Sequence, residues 1–455
     1  MQRSQPCPII IQPESSTLEC NEQYHQLIIK YKTHQSFDTP LSQSRKPRLF
    51  YPQTIEQREK ESLSFKMTHP LTTYDGSANN EHYPSKDVAS VSFFIILVIY
   101  ILYFGFTDQN PLRPLIYILP ATVAFELTLR GSLRLKPYLL STLIIYLTFF
   151  FPYSANNTEA HTKEAVFLIL SLTVATIAFK TPKWFPTYFL FSCLITVAIR
   201  GLINGLSLSE IKFGLASSNI GTETSLGLIT PLVAIFLFTK GQRVLGFLAI
   251  IVTVLMFKRI GLVALLTVLL IDTLQYTYFK KLKISHSAAT TVKISIILTT
   301  ATIGLFPTEF YQIISNIYYN TTGNYVSPDH LSSGRYFALS VFTDNLIENL
   351  TTTTILFGNG AGYSTYFLGE SSLLLDKHYP LLHNDFLRMF SDYGLIGLFV
   401  GVLFLLKLAI KDRLSSNFST YTSILFMTDN VLTYFVFWLV FIALLRAPHL
   451  DNKFY

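Results

Sequence analysis

"HYPLLHNDFLRMFSDYGLIGL", residues 378–398, opens polar and closes in an apolar run. Phe386, Met389, Phe390 and Tyr393 recur at i, i+3, i+4 and i+7, the spacing of one helical stripe. Asn384, Arg388 and Ser391 or Asp392 fall on the opposite stripe, and His383 stands at the helix start. The bland reading is an amphipathic helix at a membrane interface with its polar face to water. The functional reading is a site, because a histidine is the natural general base near neutral pH. The choice depends on what surrounds the segment.

The surroundings are those of a membrane protein. Half of the 455 residues are hydrophobic and only 14% are charged, against roughly 25% in soluble domains. Spans of about 20 mostly apolar residues are expected near 89–107, 113–130, 138–154, 164–180, 184–204, 224–240, 243–257, 259–279, 292–308, 393–411 and 421–446. Asp429–Asn430 interrupts the last of these, which then reads as two short helices. The fold class expected is therefore an all-α polytopic membrane protein of about 11–12 transmembrane helices.

Basic residues orient it. Arg130, Arg134 and Lys136, Lys180 and Lys183, Lys240 and Arg243, Lys280, Lys281 and Lys283, and Lys411 and Arg413 all follow even-numbered spans. The positive-inside rule places those ends and the N-terminus in the cytoplasm. Helices 1–9 occupy 89–307, one large external loop 308–392, and the C-terminal helices 393–455. The loop carries eight acidic residues and three basic ones, Arg335, Lys377 and Arg388. The net charge of +7 follows from the same rule and calls for no nucleic-acid partner.

Residues 1–88 differ. They hold ten basic and ten acidic residues, lack helical periodicity and read as a disordered cytoplasmic segment without a signal peptide. Met67 offers an alternative start, which would make 1–66 dispensable. Cys7, Cys20 and Cys193 imply no disulfide framework.

Cations on the outer side run against the positive-inside bias. Lys258 and Arg259 stand in the tight hinge "MFKRIGLVALL", Arg200 near the outer end of its span, and Lys212 in the loop after it. Snorkelling to lipid phosphates is the bland account. An outer-leaflet anion site is the other, since the arginine fork suits phosphate. Ser217, Ser218 and Asn219 lead there into a helix N-terminus. No H-E-x-x-H, paired C-x-x-C, G-x-x-x-x-G-K-[ST] or G-x-G-x-x-G occurs, so the sequence signals neither a metal nor a nucleotide cofactor.

Four segments, in order, resemble the superfamily of O-antigen polymerases (Wzy-type) and O-antigen ligases. "GLASSNIGTETSLGL" (214–228) is similar to its small-residue loop, and "FKRIGLVALL" (257–266) to its Ser-Arg signature. "SSGRYFALSVFTDNLIENLTTTTILFGNGAGYSTYF" (332–367) looks like its arginine loop and Gly-x-Gly-x-Gly-like turn. "LHNDFLRMFSDYGLIG" (382–397) resembles its His-Asn helix. Lysine replaces arginine at Lys212 and serine at Lys258, which leaves both outside the expected site.

The resemblance implies a GT-C-like, metal-independent glycosyltransferase without a cofactor, in a bacterial inner membrane with its site facing the periplasm. It would polymerise undecaprenyl-diphosphate-linked oligosaccharides into O-antigen, capsule or exopolysaccharide. A chain-length regulator and a flippase are candidate partners. His383 would take the acceptor hydroxyl proton or orient the acceptor, and Asn384 would hold the histidine or cap the helix. Arg259 and Arg335 would meet the diphosphate, with Arg200 as a second contact. Asn219, Asp385 and Arg388 complete the expected substrate-binding set, Asp385 as the carboxylate beside the histidine. The alternatives are the ligase, whose phosphorylated lipid A core acceptor suits an acidic loop poorly, and a flippase or secondary transporter.

Overall fold

The computed structural model describes residues 181–204, 226–275, 286–374 and 382–447 except 257 and 333, with the single positions 98, 164, 166–168 and 171. Residues 1–88, Met67, Lys212, Asn219 and most of the spans expected before residue 181 lie outside the described residues. The described residues are mostly helical, with no strand among them.

Thirteen helices follow one another among the described residues. They are α1 (Phe185–Asn204), α2 (Leu226–Thr239), α3 (Arg243–Leu255), α4 (Arg259–Leu274), α5 (His286–Leu305), α6 (Pro307–Thr322) and α7 (Pro328–Leu331). Then come α8 (Tyr336–Glu348), α9 (Thr352–Phe357), α10 (Tyr363–Leu374), α11 (Asp385–Ala409), α12 (Arg413–Thr428) and α13 (Phe435–Leu445).

Two helices, Phe185–Ile203 and Asp385–Ala409, are long and apolar enough to cross a membrane. The pair Thr290–Leu305 and Pro307–Thr322, bent by 99°, counts as a third if it is one broken span. At 1.5 Å per residue, α2, α3 and α13 reach only about 16–21 Å. The stretch 421–446 is indeed two helices, parted at Asp429–Asn430.

The packing follows the sequence. α2 (LGLITPLVAIFLFT) and α13 (FVFWLVFIALL) are apolar on every side, and both are buried almost throughout. Pro231 has no N–H for the carbonyl of Gly227 one turn earlier. That is where α4 approaches: a Cβ on Gly261 would lie 2.3 Å from the Gly227 oxygen. The Tyr421 hydroxyl on α12 donates to the next carbonyl, Leu228, at 2.7 Å.

The bundle has two ends. At one, Arg413 grips Asp272 with Nε and Nη2 (2.9 and 2.6 Å), and Lys293 Nζ donates to Asn417 at 2.7 Å. These contacts join the end of α4, the start of α5 and the start of α12. Asp272 is thus fully engaged by its neighbours, as an ion pair between helix ends. At the other end lie the α3–α4 junction, the end of α5, the start of α11 and the α12–α13 junction.

The stretch read as an external loop, 308–392, is itself helical over most of its described length. α8 and α10 enclose a small core of Leu339, Phe342, Leu346 and Leu368, joined by Leu382 and Leu387. Phe342 meets Phe367 edge-on at 5.6 Å.

α11 is broken at Gly394, whose φ of +66° favours glycine. A Cβ there would fall 2.4 Å from the Leu356 backbone, so α9 crosses α11 with nothing between them. Gly394→Ala should therefore lower stability by about 1–3 kcal/mol or more. Gly369→Ala is the control: a Cβ there meets nothing within 4 Å. It should be neutral or stabilising by about 0.5–1 kcal/mol. Thermal unfolding of the two variants in detergent checks both.

Candidate functional site

The first two turns of α11 hold the site together. Asn384 is the N-cap: its side-chain oxygen accepts the Leu387 N–H at 3.0 Å, and its amide donates to the Gly304 carbonyl at 2.7 Å. It is buried, and it fixes the start of α11 to the end of α5. Of the two roles expected for Asn384, the geometry gives it the cap.

Asp385 is wholly buried. Its Oδ2 accepts the backbone N–H groups of Val431 (2.6 Å) and Leu432 (2.7 Å). It faces the turn between α12 and α13. Arg388 grips the same turn, bonding Asn430 Oδ1 and, at 3.3 Å, Thr433 Oγ1. Its other partners are carboxylates: Glu164, which also accepts from Thr365 at 3.0 Å, and Asp392 at 3.7 Å. Arg388 is buried, and these contacts make it a clamp between α11, the α12–α13 turn and Glu164.

That grip places Asp429, the C-cap of α12. Its carboxylate accepts the Asn430 N–H at 2.8 Å and faces His383 Nδ1 at 3.3 Å and Lys258 Nζ at 3.5 Å. Arg335, on the same side, donates to the Thr428 carbonyl at 3.0 Å. Asp429 is nearly inaccessible at 5%, Lys258 is 18% exposed and His383 28%. The histidine is thus the reachable member of a buried-acid pair. With Nδ1–H directed to the carboxylate, Nε2 is the ring nitrogen left to take a proton from outside.

The expected residues divide accordingly. His383 and Arg335 both reach the C-terminal end of α12, at Asp429 and at the Thr428 carbonyl. The carboxylate beside the histidine is Asp429, in place of Asp385. The hinge cation in the cluster is Lys258, while Arg259, one residue on, is exposed. Lys258 sits where it does because α2 and α4 cross so closely: a Cβ on Gly227 would lie 2.4 Å from its Cβ. Arg200 is buried near the end of α1, a helix that packs on α2 and α3. Asn219 lies outside the described residues.

One local reading changes. The stripe opposite Phe386 and Met389 does not face water, since Arg388, Ser391 and Asp392 are as buried as the apolar stripe. The Gly-x-Gly-x-Gly-like turn 358–362 packs on that buried stripe. Gly358, Gly360 and Gly362 all have positive φ, and the turn spends its N–H groups on α11. Asn359 and Gly360 donate to the Ser391 and Asp392 carbonyls (2.8 and 3.0 Å), and Gly362 and Ser364 to the Asp392 carboxylate (3.1 and 3.0 Å). Among the described residues, no group of three or more His, Cys, Asp or Glu is placed to hold a metal ion.

Sequence reasoning missed Asp429, Lys258 and Glu164 as parts of this network. The Asp-Asn pair inside an otherwise apolar stretch was the available signal for Asp429. Comparison with protein-family models, curated proteins and solved structures finds no match to this chain.

The site separates structural from chemical residues in a way that stability can test. Asp385→Ala orphans two backbone N–H groups and should cost about 2–5 kcal/mol. His383→Ala removes a partly exposed ring and should stay within about 1 kcal/mol of wild type. Thermal midpoints and folded yields of the two variants measure the difference.

Proposed function

We propose that this chain is a polytopic membrane glycosyltransferase that polymerises undecaprenyl-diphosphate-linked oligosaccharide repeat units at the outer face of a bacterial inner membrane. The observation that carries the reading is the cluster at one bundle end: His383 held by buried Asp429, with Lys258 and Arg335 beside it. The ordered resemblance of four segments supports it. The two-ended arrangement supports the topology, because Lys240, Arg243, Lys411 and Arg413 fall at the end away from His383. In this reading α1 to α5 and α11 to α13 are membrane-embedded, α12 and α13 form separate passes, and the shorter helices are completed by their terminal turns.

The chemistry is a single displacement. A hydroxyl of one lipid-linked sugar attacks the anomeric carbon of another and forms the new glycosidic C–O bond. The bond from that carbon to the diphosphate oxygen breaks, and the diphosphate leaves with the electron pair. The hydroxyl proton passes to His383 Nε2. Asp429 stabilises the imidazolium as it forms. Lys258 and Arg335, with Arg259 at the rim, meet the charge growing on the leaving group. Aimed donors of this kind are usually the largest catalytic term. Inversion at the anomeric carbon follows from one displacement.

Loss of the protein should leave single repeat units attached to lipid A core, with the ligase intact. Long undecaprenyl-linked chains beside a bare core would mark the chain as the ligase instead. His383→Ala should abolish polymer at normal membrane abundance. Lys258→Gln and Arg335→Gln should each reduce it at least about tenfold, the equivalent of about 1.4 kcal/mol in the transition state. Gels of surface glycan, with immunoblots of membranes, give both readouts. Wild-type polymer in His383→Ala would overturn the assignment.

A further inference from the structure

α6 leaves the bundle at 99° to α5, and three different faces run along it. Pro307, Tyr311 and Ser315, one turn apart, face the protein: Pro307 and Ser315 are buried, Tyr311 packs on the core of α8 and α10, and Ser315 bonds the Val326 carbonyl. Glu309, Gln312, Asn316 and Asn320 form an exposed polar stripe. Phe306, at the N-cap, begins the third face. It is exposed, Phe310 is half-buried, and Ile313 and Ile317 are exposed. At 100° per residue this apolar stripe lies between the protein face and the polar stripe.

A helix in water has no use for a third face of this kind, and a helix inside a bilayer could not leave the polar stripe exposed. A helix lying in the plane of a membrane surface needs both. The corner supports the same orientation. α5 carries exposed Val292 and Leu298, and the exposed surface continues through Phe306 into Ile313 and Ile317. If α5 crosses the bilayer, a 99° bend lays α6 flat on it. The far end adds exposed Tyr318 and Tyr319, a residue type enriched at membrane interfaces. α6 has no lysine or arginine, so its contact would be with the headgroup and upper acyl region through apolar burial rather than with anionic lipid through charge.

We propose that α6 is an in-plane helix seated in the outer leaflet by Phe306, Phe310, Ile313 and Ile317. This inference rests on the reading of α5 as a membrane span. It sets the depth of the site. Gln312 on α6 donates to the Tyr336 hydroxyl at 2.6 Å, beside Arg335, and α5 ends at Gly304, which holds Asn384. Seating α6 therefore holds Arg335 and His383 at headgroup level, the height of a lipid-borne diphosphate.

The test uses the full chain in phosphatidylcholine nanodiscs, with its three cysteines replaced. Single cysteines carry nitroxide labels at 298, 313, 316, 317 and 320, and accessibility to oxygen is compared with accessibility to a water-soluble nickel chelate. Labels at 313 and 317 should favour oxygen, while those at 316 and 320 should favour the chelate. Chelate access at 313 and 317, with the label at 298 still in lipid, would overturn the in-plane helix alone. Shielding of 313 and 317 from both reagents would also overturn it, by showing a protein cover. Chelate access at 298 would remove the span reading and this inference with it. Adding anionic lipid should leave the pattern unchanged; a seat that appears only with anionic lipid would contradict the apolar contact.

Discussion

A fully buried carboxylate that accepts two backbone N–H groups from another part of the chain is the constraint on which the site depends. Asp385 does this for Val431 and Leu432. A turn between two buried helices cannot leave its amides unpaired in a dry environment, where each orphan costs several kcal/mol. Asp385 supplies the acceptor, and Arg388 secures the turn from the next helical position. The turn then holds Asp429 at a fixed place and height. The histidine two residues before Asp385 meets that carboxylate because one short segment provides both the anchor and the reactive ring.

The architecture was legible where periodicity or sheer apolarity spoke. Expected spans at 184–204, 224–240, 243–257, 259–279 and 292–308 fall on α1 to α5, with ends a few residues apart. Each is delimited by a local signal, such as Gly241 between α2 and α3 or the Lys258–Arg259 hinge. The helical content of 308–392 was hidden, because its helices are short and of mixed polarity and their small core forms only across elements. The same limit governed the site. His383 could be singled out by residue type and Arg335 by the resemblance of its segment, but their partners depend on which helices touch. Nothing local says that Lys258 rather than Arg259 turns inward. The close approach of Gly261 to the Gly227 carbonyl decides that.

The turn 358–362 directs an anion-binding type of backbone at the protein itself. Alternating glycines with positive φ do align N–H groups, as an anion-binding loop would. Here the anion is internal: the Asp392 carboxylate and the two carbonyls before the Gly394 break. Glycine is required on both sides of that crossing, at Gly358 and at Gly394, since a Cβ on either would enter the other's backbone. The loop thus builds the platform for α11.

The pairing of Glu164 with Arg388 has a consequence for how the protein is made. Thr365, which also bonds Glu164, is 201 residues further along the chain, and Arg388 is later still. At about 5–20 residues per second, a ribosome delivers these partners roughly 10–40 s after Glu164 has been synthesised. Through that interval the acid has none of its native partners among these residues. Glu164 therefore gains these two partners only once the last third of the chain has been made. For these contacts, closure comes from the C-terminal side.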